Sequence, residues 1–126
     1  MKIIFSIKKI IHKPKCINEK AAEQGYAEAQ NRLGIMFSSS DYDLEINYAK
    51  AKEYYEQAAE QGLKQAQFNL GNMYKLGNGV PQDYAQTIKW YKKAAAQEAA
   101  PAQYGLGDMY AKGLGVRNPR VIYTWG

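Results

Sequence analysis

The chain has 126 residues, 46% of them hydrophobic and 23% charged, which is the balance of an ordinary folded domain, and its length suits a single one. The net charge of +5 belongs to one end: Lys2, Lys8, Lys9, Lys13, Lys15 and Lys20 are opposed only by Glu19 within residues 1–20, and residues 21–126 balance. A nucleic-acid-binding face needs a basic stripe across the folded body, so that class of partner is set aside.

Residues 1–16 form a basic N-terminal segment. Its start, Met1 to Ile7, resembles a secretory signal, but Lys8 and Lys9 stop the apolar run short of the ~7–15 residues a signal needs, and no Ala-x-Ala site comes after them. No apolar run approaches the roughly 20 residues of a membrane span, and Cys16 is the only cysteine. Together these point to a reducing, cytoplasmic setting. Ile3, Ile4, Ile7, Ile10 and Ile11 share a helical face, with Lys2, Lys8, Lys9 and Lys13 mostly elsewhere. The preferred reading is a cap over the apolar end of the folded body, or a frayed tail. Contact with an anionic membrane surface is the other.

From residue 17 to residue 126 the chain repeats itself. Ala21-Ala22-Glu23-Gln24-Gly25 returns as Ala58-Ala59-Glu60-Gln61-Gly62, and in weaker form as Ala94-Ala95-Ala96-Gln97-Glu98. Ala29-Gln30-x-x-Leu33-Gly34-x-Met36-Phe37 returns as Ala66-Gln67-x-x-Leu70-Gly71-x-Met73-Tyr74, then as Ala102-Gln103-x-x-Leu106-Gly107-x-Met109-Tyr110. A fixed period of this length marks a stacked repeat architecture. Each unit reads as two helices. In the middle unit the first spans about residues 64–76, with Ala66, Leu70, Met73 and Tyr74 on one face. The second spans about residues 84–97 and buries Thr87, Tyr91, Ala94 and Ala95.

Asn47 and Asp83 are positioned as N-caps of the second helices. Gly25 and Gly62 sit just past helix ends, where a positive φ favours glycine. Glu98 stands in that place in the next unit, so its turn is expected to be costlier or differently shaped. Pro101 suits a first helical turn. Gly34, Gly71 and Gly107 lie inside helices at a cost of about 1 kcal/mol each relative to Ala, which predicts close approach of the paired helix. Tyr55, Tyr74, Tyr91 and Tyr110 recur with the core phase and are read as packing; Trp90, in phase with Tyr54, is placed between units.

The period and its motifs (Ala-Gln-x-x-Leu-Gly-x-Met-Tyr, Gly77-x-Gly79-Val80, Trp90-Tyr91-x-Lys93-Ala94-Ala95, Gln61-Gly62) resemble the Sel-one-like repeat family, relatives of the tetratricopeptide repeats. The resemblance implies an all-α solenoid of helix-turn-helix units, comprising a partial unit, two full units and a truncated last one. Two places depart from it. Ser38-Ser39-Ser40-Asp41-Tyr42 replaces Gly-x-Gly-Val, and Pro119 falls where Asp83 maps. The resemblance also implies an adaptor that binds a protein partner on its concave side. A cysteine-rich branch of the family is linked to β-lactam binding, so a hydrolase or ligand-binding activity of that type is the alternative; the cysteine pairs of that branch are missing here. A fragment of a longer array, without a function of its own, is a further alternative.

No catalytic constellation emerges. His12 is the only histidine, and with Cys16 it lacks a third orienting group. One Cys and one His do not make a zinc site. Gly77-x-Gly79 and Gly113-x-Gly115 lack the Gly-Lys-Ser/Thr of a phosphate loop and recur in phase with the helices, so they are read as structural turns. Asp41 and Asp43 lie in a polar loop and are read as solvated. No enzyme, cofactor or metal is therefore expected.

Partner-binding residues are sought where the framework stays fixed and one position changes. Asn31, Phe68 and Tyr104 form one such row in the first helices, and Ile35, Asn72 and Asp108 a second, four residues further on. Stacked units align both rows into a groove. Packing between units is the competing reading for Phe68 and Tyr104. Open apolar faces at the two ends predict marginal stability or self-association.

Overall fold

The computed structural model describes residues 15–42 and 44–115. Residues 15–23 are helical (α1). Five further helices are α2 (Ala27–Ser38), α3 (Tyr48–Glu60), α4 (Lys64–Leu76), α5 (Tyr84–Ala96) and α6 (Ala100–Lys112). A 3-10 turn, Ser40–Tyr42, lies between α2 and α3. No strand occurs among the described residues. The expectations for residues 1–14, His12 among them, and for Pro119 and the last unit's second helix lie outside this range.

From α2 to α6 each helix packs on its neighbours in the chain. Hairpins stack because one face of each helix is apolar: Leu33, Met36, Ala51, Tyr55, Ala66, Leu70 and Met73 share one buried cluster, and Ile88, Tyr91, Ala94, Ala102 and Met109 a second. The expected buried face of α5 is present, with Thr87, Tyr91 and Ala94 buried and Ala95 partly so. Trp90 joins the α2–α4 cluster rather than that of α5 and α6, which places it between neighbouring parts of the stack. α1, α3 and α5 form one layer and α2, α4 and α6 the other.

Local chemistry sets the helix starts. Asn47 Oδ1 accepts from the Lys50 N–H (3.1 Å) and Asp83 Oδ1 from the Gln86 N–H (3.2 Å), satisfying amides that the first turn leaves open. The two connections preceding these caps differ in sequence but close on the same backbone bond, Asn47 N–H to Phe37 O and Asp83 N–H to Tyr74 O. The second glycine of Gly-x-Gly has a steric reason. A Cβ on Gly79 would run into the Tyr48 Cβ, and one on Gly115 would stand 2.7 Å from the Tyr84 Cβ. These turns seat against the head of the preceding second helix.

Glu98 adopts φ 63°. Its turn keeps the shape of the glycine version: Glu98 N–H bonds Ala95 O and Ala99 N–H bonds Ala94 O, as Gly62 N–H bonds Ala59 O and Leu63 N–H bonds Ala58 O. Of the two expected outcomes it is the costlier turn, not a different one, at about 1–2 kcal/mol for a left-handed non-glycine residue.

The mid-helix glycines divide. A Cβ on Gly34 would meet the Tyr55 ring at 2.5 Å and one on Gly71 the Tyr91 ring at 2.7 Å, whereas one on Gly107 meets nothing within 4 Å among the described residues. The expectation of close approach therefore holds for Gly34 and Gly71, and for Gly107 the paired helix lies outside the described residues. The ring that covers Gly34 or Gly71 comes from the next helix along the chain, and beyond α6 that helix falls outside the described residues. Tyr110 is 36% exposed, while its equivalent Tyr74 packs on the larger cluster; the helix that would cover Tyr110 lies outside the described residues as well.

Glutamines fasten the units. Gln30, Gln67 and Gln103 each donate their side-chain amide to a carbonyl at the end of the preceding helix, Ala22 O, Ala59 O and Ala95 O, at 3.3, 3.2 and 3.4 Å. Gln61 then donates to Gln30 Oε1 (2.7 Å), and Gln97 to Gln67 Oε1 (3.0 Å) and Gly62 O (2.8 Å). The Ala-Gln and Gln-Gly motifs are thus two halves of one polar ladder. Gln67 is buried and uses both ends of its amide. Gln67→Ala is expected to lower stability by about 1–3 kcal/mol, because it removes two hydrogen bonds of a buried amide, one to Ala59 O and one from Gln97, each worth about 0.5–1.5 kcal/mol. Gln103→Ala, at an exposed rung, is expected to stay within about 0.5 kcal/mol. Urea titration of both compares them; equal losses would mean the ladder does not discriminate buried from open rungs.

Candidate functional site

The first helices line a groove. Its main cleft, about 440 Å³, is bounded by Asn31 and Ile35 of α2, by Lys64, Gln65, Phe68 and Asn69 of α4, and by Glu98, Ala99, Ala100 and Pro101 at the α5–α6 turn. An adjoining hollow of about 370 Å³ shares Asn31, Ile35 and Gln65 and adds Glu28, Arg32 and Leu63. The two form one depression running along α2 and α4.

The row Asn31, Phe68 and Tyr104 divides by role. Asn31 and Phe68 line the cleft. The Phe68 ring also stacks on Tyr91, centroids 5.3 Å apart, and packs on the cluster built by α5 and α6. Tyr104, on the last described helix, is 79% exposed. The second row is less uniform. Ile35 lines both hollows. The Asn72 side chain instead accepts a hydrogen bond from the Tyr91 hydroxyl, which turns it toward α5. Asp108 is held by Lys112 at 3.2 Å. Burial raises the Tyr91 hydroxyl to about 12, so it is a neutral donor to Asn72 at any ordinary pH.

Sequence reasoning missed Asn69 and the turn residues 98–101. Asn69 donates to Asn31 Oδ1 at 3.0 Å, bridging α4 and α2. That bond leaves the Asn31 amide donor and the Asn69 carbonyl acceptor unused on two residues that line the cleft, the donor and acceptor types that one peptide group's C=O and N–H call for. The signal for Asn69 was available: Arg32, Asn69 and Gly105 also change within a fixed framework. The turn residues enter only through stacking, which brings a loop of one unit against the helices of the previous ones. Among the described residues no group of three or more His, Cys, Asp or Glu is arranged to hold a metal ion, Cys16 is exposed and free, and no helix is long and apolar enough to cross a membrane.

Helical hairpins joined by short turns, stacked in register and opening a groove on one layer, define an α-α superhelical repeat protein. The family model of the Sel1 repeat matches residues 19–26, 27–63, 64–98 and 100–120. The chain belongs to that family. Among solved structures, c5321, a protective antigen present in uropathogenic Escherichia coli strains displaying an SLR fold, is 42% identical with a TM-score of 0.75, over 79% of this chain and 21% of that one. A Sel1 repeat protein from Oxalobacter formigenes is 32% identical with a TM-score of 0.75, over 89% and 46%. The chain therefore spans less than half the length of either. None of the curated proteins matches it significantly. Sel1 repeat proteins are generally protein-interaction scaffolds.

Proposed function

We propose that the chain is a non-enzymatic scaffold that seats a segment of a partner protein in the groove of its first helices. The observation that carries this reading is the cleft itself. Ile35, Phe68, Ala99 and Pro101 offer apolar surface, and the Asn31–Asn69 pair offers a donor and an acceptor above it. Apolar pockets with a few placed polar groups are where ligands bind, and a side-chain amide pair holds an extended backbone irrespective of sequence. Tyr104 extends the surface as an exposed aromatic, a residue type that dominates binding energy at interfaces.

Gln65 is exposed and lines both hollows, so Gln65→Trp plugs the groove without touching the core. Affinity capture with this variant is expected to lose the partner by at least about ten-fold, with an unchanged melting temperature. Gln57→Trp, an exposed change on the other layer, is expected to retain it. Retention of the same partner by Gln65→Trp would remove the groove from consideration.

A further inference from the structure

Charge that balances over the folded part is not evenly placed within it. α5, with the sequence YAQTIKWYKKAAA, carries Lys89, Lys92 and Lys93 and no acidic residue. All three lysines are exposed. They fall one turn apart on one helical face. Lys89 and Lys93 lie 5.2 and 4.7 Å from the Trp90 ring centroid, which keeps their ammonium groups together. The ion pairs found among the described residues are Lys15–Glu19, Lys52–Glu56 and Lys112–Asp108, each within a single helix, so the α5 lysines have no carboxylate partner there.

The opposite pole sits on the same layer. α1 and α3 enclose a shallow cleft of about 590 Å³ rimmed by Glu19, Glu23 and Glu60. Of these, only Glu19 is in an ion pair among the described residues. The Tyr54 hydroxyl in this cleft is pushed up by burial and then by the carboxylates of Glu19, Glu23 and Glu53, so the negative potential is felt at the cleft wall.

We infer that the lysine face of α5 in one copy docks on the acidic α1–α3 cleft of a second copy, and that the reciprocal contact closes a two-fold dimer through the layer of second helices. Both poles lie on one layer of the same chain, so an antiparallel pair satisfies all four at once, as a two-fold interface requires. The first-helix groove stays open in this dimer, and the inference stands apart from the function proposed above. Exposed charge pairs are individually weak and screened by salt, so the association is weak and ionic-strength dependent.

Sedimentation velocity of the full chain tests it. A dimer is expected at about 20 mM salt and a monomer at about 500 mM, where the Debye length falls well below that of physiological buffer. K92E/K93E and E23K/E60K alter exposed positions only. Each alone is expected to dimerise at least about ten-fold more weakly, because like charges then face each other. An equimolar mixture of the two is expected to recover the dimer, since each reversed pole meets a reversed partner. Should either doubly reversed chain fail to fold by circular dichroism, K92Q/K93Q and E23Q/E60Q take their place, with loss expected in each and partial recovery on mixing, since the mixed dimer keeps one of the two lysine–carboxylate contacts. The inference is overturned by a monomer at low salt, by a dimer indifferent to the substitutions, by a mixture of the charge-reversed chains that stays monomeric, or by species larger than a dimer.

Discussion

Gly71→Ala is expected to destabilise the protein by about 2–3 kcal/mol, whereas Gly107→Ala, at the same position of the next unit, is expected to stabilise it by up to about 1 kcal/mol. Alanine is the better helix former, so intrinsic propensity favours both changes equally. What separates them is the opposing wall. The new methyl of Gly71→Ala would meet the Tyr91 ring at 2.7 Å and the Thr87 carbonyl oxygen at 3.4 Å. The ring cannot withdraw. Its other edge already abuts Gly105, where a Cβ would also stand at 2.7 Å, and Phe68 stacks on it. Thr87 Oγ1 is in addition bonded to Gly71 O at 3.0 Å, so α4 and α5 cannot slide apart without breaking a buried hydrogen bond. Overpacking of this kind outweighs the propensity gain. The thermal midpoint of Gly71→Ala is expected to fall by roughly 5–15 °C, scaled to a chain of this size, while that of Gly107→Ala holds or rises. Equal shifts for the two would show that the glycine phase is not kept by the tyrosine.

Tyr91→Ala has the largest expected effect, a loss of about 3–5 kcal/mol, as for other buried aromatics truncated to alanine. Tyr91 is the largest fully buried side chain of the described residues. It fills the seam between Gly71 and Gly105, stacks on Phe68 and donates to Asn72. Its removal leaves a cavity where two units meet. The core is split into two clusters, and stacked repeats contact only their neighbours. The loss is therefore expected to be local first. Hydrogen exchange would read amide protection falling in α5 and α6 before α2 and α3, together with a lower urea midpoint. Uniform loss over all helices would mean that the array folds as one unit and that the division of the core has no energetic weight.

The helices were legible because each carries its apolar face at a helical period and its ends in single residues. α4 begins and ends at Lys64 and Leu76 as the pattern places it, and Asn47 and Asp83 cap as their side chains allow. The buried face of α5 came from the same period. The groove was only half legible. Asn31, Ile35 and Phe68 line it, but Asn72, one turn along from Phe68, is claimed by the Tyr91 hydroxyl. Periodicity says which residues share a helix face; it does not say where along that face the neighbouring helix stops covering it. That boundary depends on how α4 and α5 cross, and it decides that Asn69 rather than Asn72 reaches α2. The α5–α6 turn entered the cleft for a similar reason, since its position is set by the stacking of whole units. For Tyr110 and Gly107 the helix that would complete the phase lies outside the described residues.

All the glutamine rungs lie on one margin of the solenoid, where α1 meets α2, α3 meets α4 and α5 meets α6. The far margin, with the connections at residues 39–47 and 77–83, is tied by one backbone bond per connection, joined in the second by Gln82 Nε2 to Lys75 O at 2.9 Å. The molecule is thus bound like a book: one side stitched, the other held more loosely at the page edge. Residues inserted on the looser side lengthen a loop and leave the stitching alone, as the extra residue and 3-10 turn after α2 already do. Residues inserted at the tight turns shift every rung beyond them. Variation in length, and any tag or reporter spliced into the chain, belongs on the unstitched side.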